Sequence, residues 1–152
     1  MELQFTSKEI EPKLLLPGNS LKVVEFYKDK TVLLTGCTGF LGKIILEKFL
    51  RSCPDVKKIF VMVRPKRNVN PMDRIKKEIL ESECFHEVRE IHGSHQKFIE
   101  FAESKIYPIQ GDLIMEKLGI PPEERALLIN EVNVIINSAA SVNFDDPLQE
   151  AL

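Results

Sequence analysis

Residues 30–42 read Lys-Thr-Val-Leu-Leu-Thr-Gly-Cys-Thr-Gly-Phe-Leu-Gly, and the rest of the chain can be placed around them. Residues 31–34 favour β structure and form a run too short for a helix, so they predict a buried parallel strand. Gly36, Gly39 and Gly42 then follow at intervals of three. This spacing suits a sharp turn at the first glycine, close backbone approach at the second and helix-on-strand packing at the third.

A helix that begins at this turn would aim its free N–H groups and the positive end of its dipole at a bound pyrophosphate. The pattern is Gly-x-x-Gly-x-x-Gly, not the common Gly-x-Gly-x-x-Gly, and a turn without ligand is the alternative. The preceding strand and an amphipathic helix after the turn favour a dinucleotide site. In that helix we expect an apolar side of Leu41, Ile44, Ile45, Phe49 and Leu50 and a polar side of Lys43, Glu47, Lys48 and Arg51, with Glu47 and Arg51 paired.

Length and charge restrict the class of protein. The chain has 152 residues, a length typical of one domain, and a net charge of −2, which argues against a nucleic-acid partner. It has no apolar run of about 18 residues, so we expect neither a membrane span nor a secretory leader. Cys37, Cys53 and Cys84 are interpreted as reduced thiols, with Cys37 filling space inside the glycine turn.

Residues 1–29 are predicted to form an N-terminal extension, because they contain Pro12, Pro17 and Gly18 and lack sustained periodicity. Residues 20–27 within it favour a short helix. We expect Ser20 to be its N-cap and Leu21, Val24 and Phe26 to pack on the domain.

A second buried strand is predicted at residues 57–63. In a Rossmann unit the end of this strand meets the adenine ribose, where an acidic residue would bind the 2′-hydroxyl of NAD. Here the sequence is Arg64-Pro65-Lys66-Arg67, with no acid. Arg64 and Lys66 are suited to a 2′-phosphate, so NADPH is the expected cofactor, and a solvated basic turn is the alternative.

Residues 70–104 are predicted to be a mostly helical insert that starts at Asn70 as N-cap and Pro71 at the first helical position. His86, His92 and His95 fall within it without the further ligands that a metal site needs. They are interpreted as surface residues, and no metal site is expected.

The third strand is predicted at residues 105–110, followed by Gly111-Asp112-Leu113, and the fourth at residues 132–136, followed by the small residues 137–141. Residues 121–124 would open the helix between these strands, with an apolar side of Ala126, Leu127 and Ile129. Residues 145–152 begin another helix. The fold class is therefore α/β, a Rossmann-like doubly wound parallel sheet with about four strands, and thus incomplete.

Residues 35–42 resemble the cofactor loop of extended short-chain dehydrogenases/reductases. Further segments resemble the alcohol-forming fatty acyl-CoA reductases of the male-sterility-protein type: residues 26–34, 46–54, 63–66, 111–113 and 138–148. Together these segments cover nearly all of residues 26–152. The combined match is specific, although no single segment is.

The resemblance implies NADPH-dependent reduction of a long-chain acyl-CoA to a primary alcohol by two hydride transfers, with release of CoA. Carried over by position, it assigns the pyrophosphate to Gly36, Thr38, Gly39, Phe40, Leu41 and Gly42, the 2′-phosphate to Arg64 with Lys66, the adenine to Asp112 and Leu113, and the nicotinamide-side ribose to Ala139 and Ala140. Ser141 and Phe144 would border the substrate cleft. The resemblance further implies that the full-length protein lies at the cytosolic face of a peroxisomal or endoplasmic-reticulum membrane.

The resemblance also implies a downstream Tyr-x-x-x-Lys pair, in which tyrosine protonates the developing alkoxide. The chain has only Tyr27 and Tyr107, and neither has lysine at the fourth following position. We therefore expect no catalytic residue here and interpret residues 30–152 as the N-terminal part of an NADP-binding Rossmann domain, truncated before the catalytic region and inactive alone.

Several alternatives stay open. Related reductases act on carrier-bound thioesters, and sugar-nucleotide epimerases share the glycine loop, although Arg64 argues against the NAD-using epimerases. A non-catalytic NADP(H)-binding module is a third alternative. Such a module would sense NADP(H) or pair with a full-length partner, because an exposed sheet edge where a fifth strand should lie favours pairing and also aggregation, and a homo-oligomer is a further alternative.

Overall fold

The computed structural model describes residues 22–140. Its four strands are β1 (Thr31–Thr35), β2 (Lys58–Val63), β3 (Ile106–Gln110) and β4 (Val134–Asn137). They form one parallel sheet in the order β3-β2-β1-β4. The chain runs outward from β1 to β3 and then returns to the other side of β1, which is the strand order of a Rossmann half with its switch point between β1 and β4. The predicted fold class is confirmed.

The helices alternate with the strands, as the periodicity predicts. Their bounds are α1 (Val23–Tyr27), α2 (Phe40–Ser52), α3 (Pro71–Ile75), α4 (His86–Ile91), α5 (His95–Lys105) and α6 (Pro122–Glu131). A π-helical turn continues α3, and short 3₁₀ turns precede α4 and α6. At the start of α3 the side chain of Asn70 accepts hydrogen bonds from the N–H groups of Met72 and Asp73, which confirms the predicted cap.

Strands β1 and β2 are buried on both faces, which explains why they are apolar at consecutive positions, whereas β3 and β4 contain exposed residues. Val32 and Leu34 of β1 point to the face that α2 and the helical insert cover. Leu33 points to the opposite face and packs there with Phe60 of β2 and Leu128 of α6. All five residues of β1 are buried, so the glycine turn that follows is carried by the most enclosed strand.

The predicted polarity of α2 is wrong at its beginning and in its middle. Leu41 and Ile44 are exposed, and Leu41 borders a cleft instead of the core. Glu47 is buried, because the insert containing α4 packs against that side of α2. The expected Glu47–Arg51 pair does form, with Arg51 Nε 2.6 Å from Glu47 Oε1, and it neutralises the buried carboxylate.

Three local predictions differ from the structure at other helices. Val24 and Phe26 of α1 are half exposed, and Tyr27 instead packs edge-on against Phe49 with ring centroids 4.8 Å apart. In α6, Leu128 faces the sheet, so the neighbouring positions that were expected to be apolar contacts point sideways to solvent, namely Ala126, Leu127 and Ile129. Strand β4 begins two residues later than predicted, because Val132 is the C-cap of α6.

Some predictions fall outside residues 22–140. They are the Ser20 cap, the packing of Leu21, the cleft positions Ser141 and Phe144, and the helix at residues 145–152. Among the described residues, no helix combines the length and apolarity that crossing a bilayer requires.

Candidate functional site

The glycine turn lies at the carboxyl end of β1 and leads directly into α2. Gly36 adopts a left-handed φ of +75°, and its carbonyl accepts the N–H of Gly39 at 3.0 Å. Gly39 is the extended N-cap residue of α2 and supplies no side chain there. A Cβ on Gly42 would lie 2.2 Å from the carbonyl oxygen of Gly36. The backbone of the turn thus contacts the first turn of α2 so closely that only glycine fits at position 42.

A cleft of about 630 Å³ opens above this turn, along the carboxyl edge of the sheet. This is the edge at which doubly wound sheets bind their ligands. Ten of the twelve residues predicted to bind cofactor line it: Gly36, Thr38, Gly39, Phe40, Leu41, Gly42, Arg64, Leu113, Ala139 and Ala140. The two others, Lys66 and Asp112, are not part of this lining.

Arg64 and Asp112 meet at the end of the cleft formed by β2 and β3. Arg64 follows the last residue of β2, and its Nε lies 3.4 Å from Oδ1 of Asp112. The Arg64 side chain is 71% exposed, so its guanidinium is accessible from the cleft. Asp112 is fixed at the end of β3 by its own loop, in which its N–H donates to the carbonyl of Leu118 and its side chain accepts from the N–H of Ile114.

Arg74 is a second cation at the same end of the cleft, and the sequence interpretation did not include it. Its side chain is 16% exposed and lines the cleft. Its guanidinium donates to the carbonyl of Arg64 at 2.6 Å and through Nε to Glu78 at 2.8 Å. The hydrogen bond from Arg74, assisted by Lys66, lowers the pKa of Glu78. Lys66 is thus directed at Glu78, with Nζ 3.3 Å from Oε1.

The other end of the cleft is formed by the residues after β4. Gly36 and Ala139 approach so closely that a Cβ on Gly36 would lie 2.6 Å from the amide nitrogen of Ala139. Ser138 donates its hydroxyl to the carbonyl of Thr35 at 2.6 Å, and the Thr35 hydroxyl donates to the side-chain oxygen of Asn137. The residues after β4 therefore lie against the glycine turn, a contact that the sequence analysis did not predict.

Five lining residues were not among the predicted site residues: Met62, Val63, Arg74, Gly111 and Ser138. Gly111 directly precedes the two residues predicted to bind the adenine. A Cβ on Gly111 would lie 2.9 Å from the carbonyl oxygen of Leu118. For Arg74 the sequence offers one signal, a glutamate four residues later on the predicted helix. That signal indicates an ion pair on the helix surface and does not indicate proximity to Arg64.

Cys37 lies inside the glycine turn and is fully buried. Burial raises its pKa to about 12, so the side chain is a neutral thiol at physiological pH. A neutral, inaccessible thiol is a poor nucleophile, and its place beneath the turn agrees with the predicted space-filling role.

The comparisons with known proteins agree with this geometry. The family described as male sterility protein matches residues 34–152. Fatty acyl-CoA reductase 2, chloroplastic, of Arabidopsis thaliana is 36% identical over 132 residues, which are 87% of this chain and 21% of that protein. Fatty acyl-CoA reductase 1 is 40% identical in Mus musculus and 39% identical in Homo sapiens, again over 87% of this chain and 24% of each relative. The chain thus spans less than a quarter of the length of these relatives.

Two solved structures are also similar. The terminal R domain from the myxalamid PKS-NRPS biosynthetic pathway has a TM-score of 0.62 and 31% identity, covering 82% of this chain and 28% of that one. The reductase domain of a non-ribosomal peptide synthetase from Mycobacterium tuberculosis has a TM-score of 0.58 and 28% identity, covering 76% of this chain and 26% of that one. With its parallel sheet, its glycine turn and the family match over most of its length, the chain belongs to the male sterility protein family and is similar to the fatty acyl-CoA reductases named above.

Proposed function

We propose that this chain forms the cofactor-binding half of an NADPH-dependent fatty acyl-CoA reductase. The observation that carries the proposal is the pair of arginines at the β2 end of the glycine-floored cleft, Arg64 exposed and Arg74 behind it. A 2′-phosphate carries two negative charges near neutral pH, and guanidinium groups bind such anions through charge-assisted hydrogen bonds. NADH lacks that phosphate and gains nothing from these side chains.

In the proposed binding mode the glycine turn and the start of α2 receive the pyrophosphate. Phe40 at the start of α2 is exposed, and the first turn of the helix carries no acidic side chain that would repel a phosphate. The adenine then lies beside Asp112 and Leu113, and the nicotinamide-side ribose beside Ala139 and Ala140. When bound, NADPH supplies the hydride, and the residues of this chain bind and orient it.

The proposed reaction of the whole protein is reduction of a long-chain acyl-CoA to a fatty alcohol, with release of CoA. The chain covers 21% to 24% of the reductases named above, so most of a reductase of that kind corresponds to sequence not present in these residues. Neither Tyr27 nor Tyr107 belongs to a Tyr-x-x-x-Lys pair. We therefore propose that these 152 residues bind cofactor without catalysing turnover.

Reduction of a carrier-bound thioester is the second candidate. It is favoured by the two structural neighbours, which are the R domain of a PKS-NRPS biosynthetic pathway and the reductase domain of a non-ribosomal peptide synthetase. Both candidates use the same cofactor half, so the difference between them concerns the thioester alone. Supplying the whole reductase with palmitoyl-CoA and with a palmitoyl carrier protein would separate them, because the preferred donor should release its thiol faster.

The cofactor proposal is tested by titrating the 152-residue chain with NADPH and with NADH and following fluorescence. We expect NADPH to bind more tightly, and Arg64→Ala to weaken NADPH by about 10- to 100-fold while leaving NADH unchanged, as expected for loss of a charge-assisted hydrogen bond. Arg67→Ala is the matched control, because Arg67 is exposed in the same basic segment but does not line the cleft. Equal affinity for both cofactors would reject the proposal.

Turnover is tested separately by incubating the chain with NADPH and palmitoyl-CoA and measuring free CoA. We expect no release that depends on the protein.

Localisation at the cytosolic face of a peroxisomal or endoplasmic-reticulum membrane is likewise proposed for the whole protein, by extension from the resemblance. Because one relative is named chloroplastic, organelle fractionation is the measurement that decides it.

A further inference from the structure

Strands β1 and β4 are joined by side chains at both of their ends, in addition to their ladder hydrogen bonds. At the amino end, the side-chain oxygen of Asn133 accepts the N–H of Thr31 at 2.9 Å. At the carboxyl end, Thr35 and Asn137 are register partners whose side chains are hydrogen-bonded to each other. Ser138 closes this end by donating its hydroxyl to the carbonyl of Thr35 at 2.6 Å.

These hydrogen bonds lie next to the part of the cleft whose width depends on the position of β4. Strand β4 has four residues and pairs only with β1 in the described sheet, so few ladder bonds fix its position. Directly beyond it, Ala139 lies against Gly36 with no room for a side chain between them. A small displacement of the residues after β4 would therefore change the width of the cleft beside the glycine turn.

The two ends of the cleft are built from different strands. Arg64, Arg74 and Asp112 lie on or after β2, α3 and β3, and none of them contacts β4 through the bonds described above. Ala139 and Ala140 follow β4, and Ala139 lies against Gly36 directly after β1. A side chain that holds β4 in place would thus influence one half of a bound dinucleotide and leave the other half unaffected.

We infer that Ser138, acting with Thr35 and Asn137, is a positioning residue for the nicotinamide half of the cofactor site. The inference rests on the proposed function, because it assigns the adenine half to the β2 end of the cleft. The single hydroxyl proton of Ser138 is already donated to Thr35. Ser138 therefore acts through the backbone of Ala139 and Ala140 and does not donate to the cofactor itself.

The test compares NADPH with adenosine 2′,5′-bisphosphate, a probe that carries the adenine, its ribose and the 2′-phosphate but no nicotinamide. In the 152-residue chain, Ser138→Ala should weaken NADPH by about five- to tenfold, the usual effect of losing one hydrogen bond that orders a site. The affinity for adenosine 2′,5′-bisphosphate should stay at the wild-type value. Thr35→Val, which removes the hydroxyl bonded to Asn137, should give the same split.

Ser104→Ala is the matched control, because the Ser104 hydroxyl also donates to a backbone carbonyl at 2.6 Å, that of Phe101, on the exposed surface of α5. It should change neither affinity. The inference is overturned if Ser138→Ala weakens both ligands equally, as a general loss of structure would, or weakens neither. If wild-type protein binds neither ligand, it is the proposed function that fails, and this outcome is distinct from the first two.

Discussion

Nε of Arg64 lies 3.4 Å from Oδ1 of Asp112, so a carboxylate at the end of β3 faces the cation at the end of β2. The ion pair contributes little to stability, because the Arg64 side chain is largely exposed. It matters for a 2′-phosphate that approaches Arg64 and meets the negative charge of Asp112 at the same time. The carboxylate therefore holds Arg64 in place and also opposes the phosphate that Arg64 would bind.

We predict that Asp112→Asn binds NADPH about two- to fivefold more tightly at low salt, because one negative charge near the phosphate is removed. The affinity for NADH should not change, because NADH lacks the phosphate and asparagine keeps a side-chain oxygen beside the adenine. The gain for NADPH should disappear at about 1 M salt, where the Debye length is about 3 Å. Fluorescence titration at two salt concentrations measures both effects. Equal weakening of NADPH and NADH would instead indicate that the carboxylate holds the adenine.

Arg74→Gln should lower the preference for NADPH over NADH by about three- to tenfold, because one cation and the hydrogen bond that holds the Arg64 carbonyl are lost. The ratio of the two dissociation constants is the measurement. Arg89→Gln is the control, because Arg89 donates to the carbonyl of Leu80 at 2.9 Å in the helical insert and does not line the cleft. A preference unchanged in Arg74→Gln would exclude Arg74 from phosphate recognition.

Gly36→Ala and Gly93→Ala distinguish two reasons why a position requires glycine: a left-handed φ and a close contact with another backbone segment. Both residues have a left-handed φ, +75° and +74°, so both substitutions strain the backbone by about 1 kcal/mol. Only Gly36 lies against another backbone segment, since a Cβ at Gly93 would meet nothing within 4 Å. We predict that Gly36→Ala lowers the free energy of unfolding by clearly more than Gly93→Ala, as measured in urea, and abolishes NADPH binding. Equal losses would mean that β4 moves aside without difficulty.

The strands and the glycine turn could be predicted from the sequence because their signals are local. An apolar run bounded by charge and glycine defines β1, and the spacing of Gly36, Gly39 and Gly42 defines the turn. The sequence also predicts the edge of the sheet at which the basic residues meet the cleft, because the carboxyl ends of parallel strands lie at a common edge. Arg64 is therefore placed correctly in the cleft before any contact is known.

What could not be predicted depends on contacts between distant segments. Glu47 reads as a surface residue in the periodicity of α2, and it is buried because the insert folds back over it. Lys66 is expected at the 2′-phosphate and Arg74 is not, yet Glu78 binds both, and only Arg74 lines the cleft. The sequence identifies Ser138 only as a small residue after β4. Its hydrogen bond to Thr35 could not be predicted, because the two residues are 103 positions apart in the sequence.

The buried Cys37 gives a prediction about alkaline pH. The pKa of its thiol is about 12 in the folded chain and near 9.0 in an unfolded one. Below pH 9 both states keep the proton, so the thiol adds no pH dependence. Between pH 9 and about 12 only the unfolded state loses the thiol proton. Ionisation of Cys37 should therefore lower the free energy of unfolding by up to about 1.4 kcal/mol per pH unit.

Comparison with Cys37→Ala isolates this effect, because lysines and tyrosines titrate identically in both proteins. The difference in free energy of unfolding between wild type and Cys37→Ala, measured in urea, should be constant below pH 9 and should move in favour of the variant above it. Cys84→Ala is the control: Cys84 is only partly buried, so its thiol should give a smaller dependence. A difference that stays constant to pH 11 would mean that Cys37 ionises in the folded state, and that the turn around it opens at high pH.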